Sequence, residues 1–378
     1  MEIEVVSPVH VGAGETLTRS DLAFRDGRGY VPDLDAYFRA HPKRLGEFVL
    51  AMDRGEPVES FFDDPRGYAT YDLDLWADRD EIGYSEVSTA IKGPESDLYV
   101  PGSSIKGAIR TGLAYRALTA GGRGRDLESL DGRGVDDLFR LDRNDPKHDL
   151  LRCLTVRDTD ETDVPPAVAT VKTYSLSDYG SMRPKRWANY AEVIQPGTRF
   201  STDLVVDADL LERMVDRFGE PWKARAVFGE DRSEAGIRDA IREALRSFRD
   251  AVVAEDRQLT GEFAAVESFY EGLDDDATHL RIGFGTGYHS NTVATALSAA
   301  DRASVRLDNY LGKQMIHDGC GGDLTTDREE EGMLFCYECY STLDPRSDEV
   351  RPPFPKTRRF VHRNGSPAEP LGWLQVEF

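Results

Sequence analysis

The chain has 378 residues, 39% hydrophobic and 31% charged, a composition typical of a globular protein with one large core or two of ordinary size. It contains no apolar run of the roughly 18–20 residues that a membrane-spanning helix needs, and no basic-then-apolar leader at its start. Four cysteines are too few for a disulfide framework. We therefore expect a cytoplasmic protein without a membrane segment.

The charge is strongly acidic. The 69 Asp and Glu outnumber the 47 Lys and Arg, which gives a net charge of −22, and only nine of the basic residues are lysines. An acid-rich, lysine-poor surface suits a halophilic protein. At about 1 M salt the Debye length is only ~3 Å, so the net charge does not exclude a nucleic-acid partner. Contact with RNA would instead use local donors: backbone N–H groups, arginine side chains and stacking aromatic rings.

The first half of the chain mixes short strands with helices. The segment EIEVVS predicts an opening strand, and the turn-rich PVHVGAGE follows it. The other elements predicted before residue 207 are a helix over 33–53, strands at 85–92 and 98–100, a helix over 104–117, an exposed Gly/Arg/Asp-rich loop at 121–135, and strands near 151–157, 168–174, 190–194 and 199–206.

The second half begins with longer helices. These are predicted over 207–218, 234–255 and 262–272, and are followed by the strand HLRIGFG, a helix near 290–299 and the closing strand GWLQVEF. The helix over 234–255 carries one apolar stripe at three- and four-residue steps, formed by Ile237, Ile241, Leu245, Phe248 and Val252. This mixture predicts the α+β class, divided into modules at 1–205 and 206–378.

An acid-free segment, 98–125, contains the motif PGSSIKGAIRTGL. Pro101-Gly102 predicts a turn, and Ser103 or Ser104 is suited to cap the helix that follows. Lys106 and Arg110 are four residues apart and share one helix face near its positive end, which suits a phosphate. The alternative is a capped surface helix with solvated basic residues. The GxxxxGK[ST] spacing of a nucleotide-binding P-loop is absent.

A second acid-free segment, 281–300, contains RIGFGTGYHSNTV. Gly283, Gly285 and Gly287 alternate after a strand, but the GxGxxG form of a dinucleotide site is not met. A glycine loop that lets an RNA backbone approach, flanked by Tyr288 and His289, is the functional interpretation. A plain structural turn is the alternative.

Two basic islands combine cations with aromatic rings, in MRPKRW and RPPFPKTRRFVHR. Phosphate contact together with base stacking suits single-stranded RNA. One such island alone would more often be a solvated face. The basic residues selected as candidate contacts are Arg183, Lys185, Arg186, Lys356, Arg358 and Arg359.

A third kind of signal is metal-ligand spacing. His317 and Cys320 form HxxC, and Cys336 and Cys339 form CxxC, with 15 residues between the pairs. This resembles a zinc ribbon in which four ligands complete a tetrahedron, so the site would be structural. The alternative is a set of reduced cysteines and a solvated histidine. Cys153 is left over and is predicted to lie in the core.

The signals for hydrolysis are weak. No Ser, His or Asp lies in a GxSxG or HExxH context. His10 and His289 are candidate general bases for RNA cleavage, although a histidine beside a glycine turn is more often structural. Asp21 and Asp33 are candidate acids in the early region. We predict no catalytic residue.

The motifs SPVHVGAGE, YVPGSSIKGAIRT, GFGTGYHSNTV, PFPKTRR and PLGW, in this order, resemble the RAMP superfamily of CRISPR-associated proteins. Within it, the order and spacing most resemble the fifth-subunit family of type III-A (Csm) effectors. The resemblance implies tandem ferredoxin-like (RRM-like) modules with Gly-rich loops: an N-terminal one at 1–205 and a C-terminal one at 206–378. The zinc ribbon near 313–345 would be an insertion that the family pattern does not require.

The resemblance also implies a function: a non-catalytic CRISPR RNA-binding subunit. Such a subunit caps the backbone filament at the 3′ end of the CRISPR RNA and supports RNA maturation and antiviral defence. Its implied partners are CRISPR RNA, other Csm subunits, above all the backbone RAMP subunit, and host nucleases. Asn291 departs from the pattern, where a basic residue is more usual.

The predicted RNA-facing residues combine these motifs. They are His10, Gly12, Gly14, Gly102, Ser103, Ser104, Lys106, Arg110, Arg183, Lys185, Arg186, Gly283, Gly285, Gly287, Tyr288, His289, Lys356, Arg358 and Arg359. Two alternatives stay open. One is a backbone RAMP subunit with ribonuclease activity from a loop Asp or His, and the other is a zinc-organised protein-interaction module.

Overall fold

A computed structural model describes residues 1–120, 134–142, 145–177, 181–219, 221–296, 315–317, 319–320, 322–326, 330, 333–344, 347, 349–351 and 357–378. Most of the predicted loop at 121–135, and the candidate contact Lys356, lie outside these residues. Among the described residues, no helix is both long enough and apolar enough to cross a bilayer.

Helices and strands occur together along the described chain. The helices are α1 Leu34–Ala40, α2 Leu45–Asp53, α3 Arg79–Ile82, α4 Gly102–Ala120, α5 Gly134–Phe139, α6 Ala208–Phe218, α7 Pro221–Phe228, α8 Glu234–Thr260, α9 Ala264–Glu271 and α10 Tyr288–Asn291. The strands are β1 Glu2–Val5, β2 Gly12–Leu17, β3 Ala23–Arg25, β4 Arg28–Pro32, β5 Ala69–Leu75, β6 Val87–Ala90, β7 Leu154–Val156, β8 Ala167–Leu176, β9 Met182–Val193, β10 Arg199–Ser201, β11 Leu204–Val206, β12 Thr278–Arg281, β13 Met315–His317, β14 Asp323–Thr326, β15 Leu334–Cys336, β16 Ser341–Leu343, β17 Val350–Arg351, β18 Thr357–Arg363, β19 Ser366–Pro370 and β20 Trp373–Glu377. The predicted α+β class is confirmed.

One four-stranded sheet joins the two ends of the chain in the order β10-β1-β20-β12. Its pairs are antiparallel, with Glu2 opposite Glu377 and Thr278 opposite Val376. Ile3 and Val5 are buried on one face of β1, as the period of two in the opening strand predicts. The sheet contains strands from both sides of residue 206, and the division into modules there stays a prediction.

A larger, nine-stranded sheet has the order β2-β6-β9-β8-β5-β4-β3, and β18 and β19 are attached beside β8. Strand β8 pairs antiparallel with β9 along one edge, and with β18 along part of the other. This arrangement aligns the segments that contain the two basic islands on either side of β8. A separate five-stranded sheet, β16-β15-β14-β13-β17, contains the cysteine motifs.

Helices α4 and α8 pack against each other in the main core. All five residues of the apolar stripe predicted on α8 are buried, which confirms that prediction. The residue at the crossing on α4 is Gly112, where a Cβ atom would lie 3.1 Å from Leu245 Cδ2. Gly112 therefore allows the close approach of the two helices, which accounts for a residue that weakens an isolated helix.

Several predicted elements differ from the structure. The strand predicted at 98–100 makes only isolated bridges at Leu98, and the segment 199–206 divides into β10 and β11, which belong to different sheets. The single helix over 33–53 is wrong: α1 ends at Ala40, and a 3₁₀ turn at Pro42–Arg44 separates it from α2. His41 has φ −128° and ψ 58°, outside the helical region that a residue before proline avoids. In the described part of the helix predicted near 290–299, α10 ends at Asn291 and a 3₁₀ turn follows at Ala294–Ala296, while residues 297–299 lie outside the described residues.

The predicted turn in PVHVGAGE is partly wrong as well. Gly12–Leu17 forms strand β2, which pairs antiparallel with β6 at an edge of the large sheet. Its register shifts between Gly12 and Thr16, and Gly14 has φ +85°. The glycines thus produce an irregular strand instead of a turn.

A buried charge network lies beneath the glycine loop. Asp256 of α8 accepts a hydrogen bond from Arg358 Nε at 2.6 Å, one from Arg281 Nη1 at 2.8 Å and one from the Tyr270 hydroxyl at 2.9 Å. Burial alone would raise the pKa of Asp256, but the two guanidinium charges and the tyrosine hydrogen bond hold it below its usual value. The network links α8, α9, β12 and β18.

Replacing Asp256 with asparagine leaves two buried guanidinium groups without a counter-charge. We expect Asp256→Asn to lower the free energy of unfolding by about 3–5 kcal/mol, measured by urea denaturation of the full chain. Asp239→Asn, at an exposed ion pair on the same helix, is the matched control and should change little. Equal losses in the two variants would contradict the proposed role of the network.

The same network makes the stability of the fold depend on pH. Because the pKa of Asp256 is lowered on folding, its stabilisation is fully present above the unfolded pKa of about 3.9 and is lost as the pH falls through the folded value. We therefore expect the difference in stability between wild type and Asp256→Asn to shrink on acidification below about pH 4. A difference that persisted unchanged into strong acid would contradict this.

Candidate functional sites

The glycine loop after β12 packs directly on the N-terminal SPVHVG motif. The Phe284 N–H donates to the His10 carbonyl oxygen at 2.8 Å. A Cβ atom at Gly283, which has φ +84°, would lie 2.3 Å from that same oxygen. Gly283 is therefore required by close backbone approach, and the structure brings two of the predicted loops together.

The PLGW motif completes this packing. The Gly372 N–H donates to the Pro8 carbonyl at 2.9 Å, and the Gly372 carbonyl accepts from the Ile282 N–H at 2.9 Å. A Cβ atom at Gly372 would lie 2.3 Å from Thr286 Cγ2. Three of the motifs behind the family resemblance therefore form one packed backbone junction.

His10 lies inside this junction and is only 4% exposed. Its Nδ1–H donates to the Glu192 carbonyl oxygen at 2.6 Å, and burial lowers its pKa, so the ring is neutral at pH 7. The Glu192 carboxylate is buried too, ion-paired with Lys92 and accepting from the Tyr71 hydroxyl at 2.8 Å. These contacts make His10 part of the packing between β2, β6 and β9.

The helix α4 motif is held by internal partners. Lys106 Nζ donates to the Leu154 carbonyl at 2.7 Å, and Arg110 reaches the carboxylates of Asp149 and Asp136 at 2.9 and 3.0 Å. These contacts pack α4 against α5 and β7. Both cations therefore have acceptors within the chain.

The start of α4 also differs from the predicted cap. The helix begins at Gly102, so Ser103 and Ser104 lie within its first turn, and the prediction that a serine caps it is wrong. The Gly102 N–H instead donates to Asp158 Oδ1 at 2.8 Å. A carboxylate from outside the helix thus fills a position at its positive end.

The MRPKRW island lies on β9 in an exposed part of the β8–β9 hairpin. Arg183, Lys185 and Arg186 are all exposed, and Trp187 is 70% exposed. Among the described residues, none of the three cations makes an ion pair or a side-chain hydrogen bond. This strand therefore combines available positive charge with an open aromatic ring.

The second basic island divides into two environments. Arg358 is buried in the Asp256 network, whereas Arg359 is exposed, with its guanidinium 5.1 Å from the Phe284 ring centroid. Of the other predicted contacts, Gly12 and Gly14 are exposed on β2, His289 is buried, and Tyr288 is exposed. The predicted set is thus not one continuous surface.

The cysteine motifs form a compact cluster. Every pair among the ligand atoms of His317, Cys320, Cys336 and Cys339 lies within 4.8 Å. His317 Nδ1 is 3.2 Å from Cys320 Sγ and 3.1 Å from Cys339 Sγ. The hydrogen bond with Ser341 Oγ lowers the pKa of Cys339 to about 6. One imidazole and three thiols gathered around a point fit a tetrahedral metal site.

The leftover cysteine is separate from this cluster. Cys153 is buried in the main core, as predicted, and burial raises its pKa to about 12. It therefore stays a protonated thiol at neutral pH.

The candidate acids have local structural contacts. Asp33 accepts from the Ala36 N–H at 2.8 Å and caps α1. Asp21 accepts from the Thr18 N–H at 2.8 Å within a turn. In the part of the chain that the structure describes, neither joins a group of three or more potential metal ligands.

Three residues of these buried networks were not predicted from the sequence: Asp256, Lys92 and Glu192. Asp256 had a detectable signal, since it continues the apolar stripe of α8 four residues after Val252 and is an acid at a core position. Lys92 and Glu192 lie 100 residues apart, and no local pattern connects them.

The chain is similar to known proteins of one family. The sequence profile of the RAMP superfamily matches residues 2–288. The CRISPR system protein Csm5 of Streptococcus thermophilus is 25% identical over 59% of this chain and 68% of its own length. Csm5 of Methanocaldococcus jannaschii is 23% identical over 100% of this chain and 88% of its own length.

Two solved structures are similar over almost the whole chain. One is a chain of the cryo-EM Csm–crRNA–target RNA ternary complex of a type III-A CRISPR–Cas system, with a TM-score of 0.68, 24% identity, and coverage of 100% of this chain and 99% of that one. The other is the crystal structure of T. onnurineus Csm5, with a TM-score of 0.61, 22% identity, and coverage of 99% and 100%. These likenesses show the fold. Because the profile spans well over half of the sequence, this chain belongs to the RAMP superfamily.

Proposed function

We propose that the chain is the fifth subunit of a type III-A (Csm) effector complex and binds CRISPR RNA there. Two observations support this: its curated relatives are named Csm5, and a chain of a Csm–crRNA complex shares its fold end to end. In this role it caps the backbone filament at the 3′ end of the CRISPR RNA and supports RNA maturation. Its partners are then the RNA, the backbone RAMP subunit and host nucleases.

The observation that carries the RNA-binding proposal is the exposed strand with Arg183, Lys185, Arg186 and Trp187. Most other candidate cations, such as Lys106, have acceptors within the chain. Three cations that are unpaired within the described part of the chain, next to an exposed indole, can hold phosphates and stack one base. Because salt screens the distant acids of the chain, the local charge of this strand decides the contact.

Reversing the three charges of this strand should abolish most RNA binding. We expect Arg183→Glu/Lys185→Glu/Arg186→Glu to weaken binding of single-stranded RNA more than 10-fold in fluorescence anisotropy. If each cation contacts one phosphate, the slope of log K against log salt should also become shallower by about 2, since each contact contributes about 0.7 on a single strand.

The matched control reverses three exposed arginines on α6 and α7: Arg213→Glu/Arg217→Glu/Arg225→Glu. It changes the net charge equally, so a general charge effect would weaken both variants alike. Such equal weakening would reject the β9 strand as the RNA contact. Reversing Lys106 or Arg110 would not discriminate as well, because their internal contacts stabilise the fold.

The subunit is proposed to be non-catalytic. Asp21 and Asp33 are occupied by local N–H donors, and His10 and His289 are buried. A general base must reach the 2′-hydroxyl of an RNA, which a buried ring cannot do without rearrangement.

Purified protein incubated with CRISPR RNA precursor should leave it intact, both with magnesium and with EDTA. Gel electrophoresis of labelled RNA measures this. Cleavage that disappears in Asp21→Asn or Asp33→Asn would support the metal-dependent ribonuclease alternative. Cleavage in EDTA that disappears in His10→Gln would support the metal-independent one.

The cluster of His317 and three cysteines is proposed to hold a structural zinc ion. Its ligands fit tetrahedral coordination, and they join β13 and β15 of the small sheet to the turns that follow them. Four protein ligands leave no open position for a substrate. If this part of the chain also binds a partner protein, it would act as a zinc-organised interaction module.

Elemental analysis should find one zinc per chain in wild type. Cys336→Ser should lose most of it, because a hydroxyl is a poor substitute for a thiolate ligand. Cys153→Ser is the matched control and should retain the metal. Wild type purified without chelator and free of zinc would contradict the assignment.

A further inference from the structure

The five-stranded sheet around the cysteine cluster has one buried face and one exposed face. The buried face packs five side chains into a small core: Leu324, Leu334, Cys336, Leu343 and Val350. Side chains of β15 alternate between the two faces, so Phe335 points away from this core. Its register neighbours, Thr325 of β14 and Thr342 of β16, are both exposed. The outer face is therefore open to solvent, as is common for an antiparallel sheet.

An aromatic cluster lies on this outer face. Tyr337 and Tyr340, here called the tyrosine pair, are 58% and 78% exposed. Both rings meet Phe335 edge-on, with their centroids 5.0 and 6.3 Å from its centroid. Within the described part of the chain, no cation lies over either tyrosine ring. Phe335 thus positions two large rings that the described fold leaves uncovered.

The backbone at Tyr340 points to a role other than folding. Tyr340 has φ +58°, in the left-handed region where glycine is unstrained and a bulky residue is rare. Because its ring is 78% exposed, burial returns little stability for this strained backbone. A glycine would suit this position better, so the aromatic ring itself is the feature that needs an explanation.

The charge of the surroundings selects the kind of partner. From residue 315 to residue 351 the sequence contains ten acids and three arginines. Glu338, between the two tyrosines in sequence, is exposed, and the side chain of Glu349 is 65% exposed. RNA phosphates are repelled by such a surface, whereas a cation is attracted both by carboxylates and by the faces of aromatic rings. Arginine fits best, because its planar guanidinium stacks on rings and pairs with carboxylates.

We propose that the tyrosine pair and its acidic surroundings dock an arginine-bearing segment of a partner protein. The guanidinium stacks on Tyr337 or Tyr340, and the exposed carboxylates supply the complementary charge. The inference rests on the zinc-organised sheet proposed above, because the metal would fix the turn at 336–339 that carries Tyr337. It gives this sheet a protein partner and leaves the RNA contact to β9.

The test measures binding of a fluorescein-labelled hexa-arginine peptide to the full chain by anisotropy, in about 1 M salt, where the Debye length of ~3 Å screens distant acids. Tyr337→Ala/Tyr340→Ala leaves the net charge unchanged. We expect this double variant to bind the peptide about 10-fold more weakly, since it removes two ring faces. A hexa-lysine peptide should bind wild type more weakly than hexa-arginine does, because lysine stacks less well.

Tyr84→Ala is the matched control, since it removes a tyrosine that is 84% exposed and lies outside the zinc sheet. It should leave peptide binding unchanged. Equal binding by wild type and the double variant, or the same loss in Tyr84→Ala, overturns the inference. Labelled oligo-uridine is the second probe: RNA binding that the double variant loses would overturn the protein partner and assign the rings to bases.

Tyr340→Gly separates a binding role from a structural one. Because glycine accepts the left-handed backbone, this variant should unfold at a midpoint no lower than that of wild type. It should nevertheless bind the peptide about 3-fold more weakly, since one ring is lost. A midpoint well below that of wild type would make the ring a structural element and overturn the inference.

Failure of this inference and failure of the zinc assignment are distinguishable. One zinc per chain, together with peptide binding that is insensitive to the tyrosine pair, rejects the docking surface alone. Zinc-free wild type with peptide binding that depends on the tyrosine pair rejects the zinc alone. In both cases the β9 charge-reversal variant reports separately on RNA binding.

Discussion

The structure depends on the close approach of three backbone segments that are distant in sequence. The chain near His10, the loop after β12 and the turn at Gly372 exchange backbone hydrogen bonds at 2.8–2.9 Å. No Cβ atom fits at Gly283 or Gly372, so this junction restricts the sequence more tightly than an apolar core would. Next to this junction, the buried Asp256 accepts hydrogen bonds from Arg281 of β12 and Arg358 of β18.

The basic residues of this acidic protein fall into two groups with different consequences. One group, including Lys106, Arg110 and Arg358, has acceptors inside the chain and contributes to folding. The other, including Arg186 and Arg359, is exposed and unpaired among the described residues. A cation that already has an acceptor within the chain is less available to a phosphate, so the second group is where the RNA contact is to be sought.

Much of the fold could be predicted from local patterns. The apolar stripe on α8, the opening and closing strands and the HxxC and CxxC pairs depend on spacings within a few residues. The partners of individual charged side chains could not be predicted from such spacings. Arg110 donates to acceptors 26 and 39 residues away, and an acid-free window does not reveal partners outside it. The sequence predicts that Gly283 faces RNA, whereas the structure accounts for it by close approach to the His10 carbonyl oxygen.

The position of β20 has a consequence for how the molecule assembles. It lies between β1 and β12, and Glu2 pairs with Glu377 across nearly the whole sequence. Closing so long a loop is entropically costly, and contacts of this separation form slowly. While a ribosome is still translating the segment before β20, β1 and β12 each have an unpaired edge, so a nascent chain is exposed to aggregation until this late strand arrives.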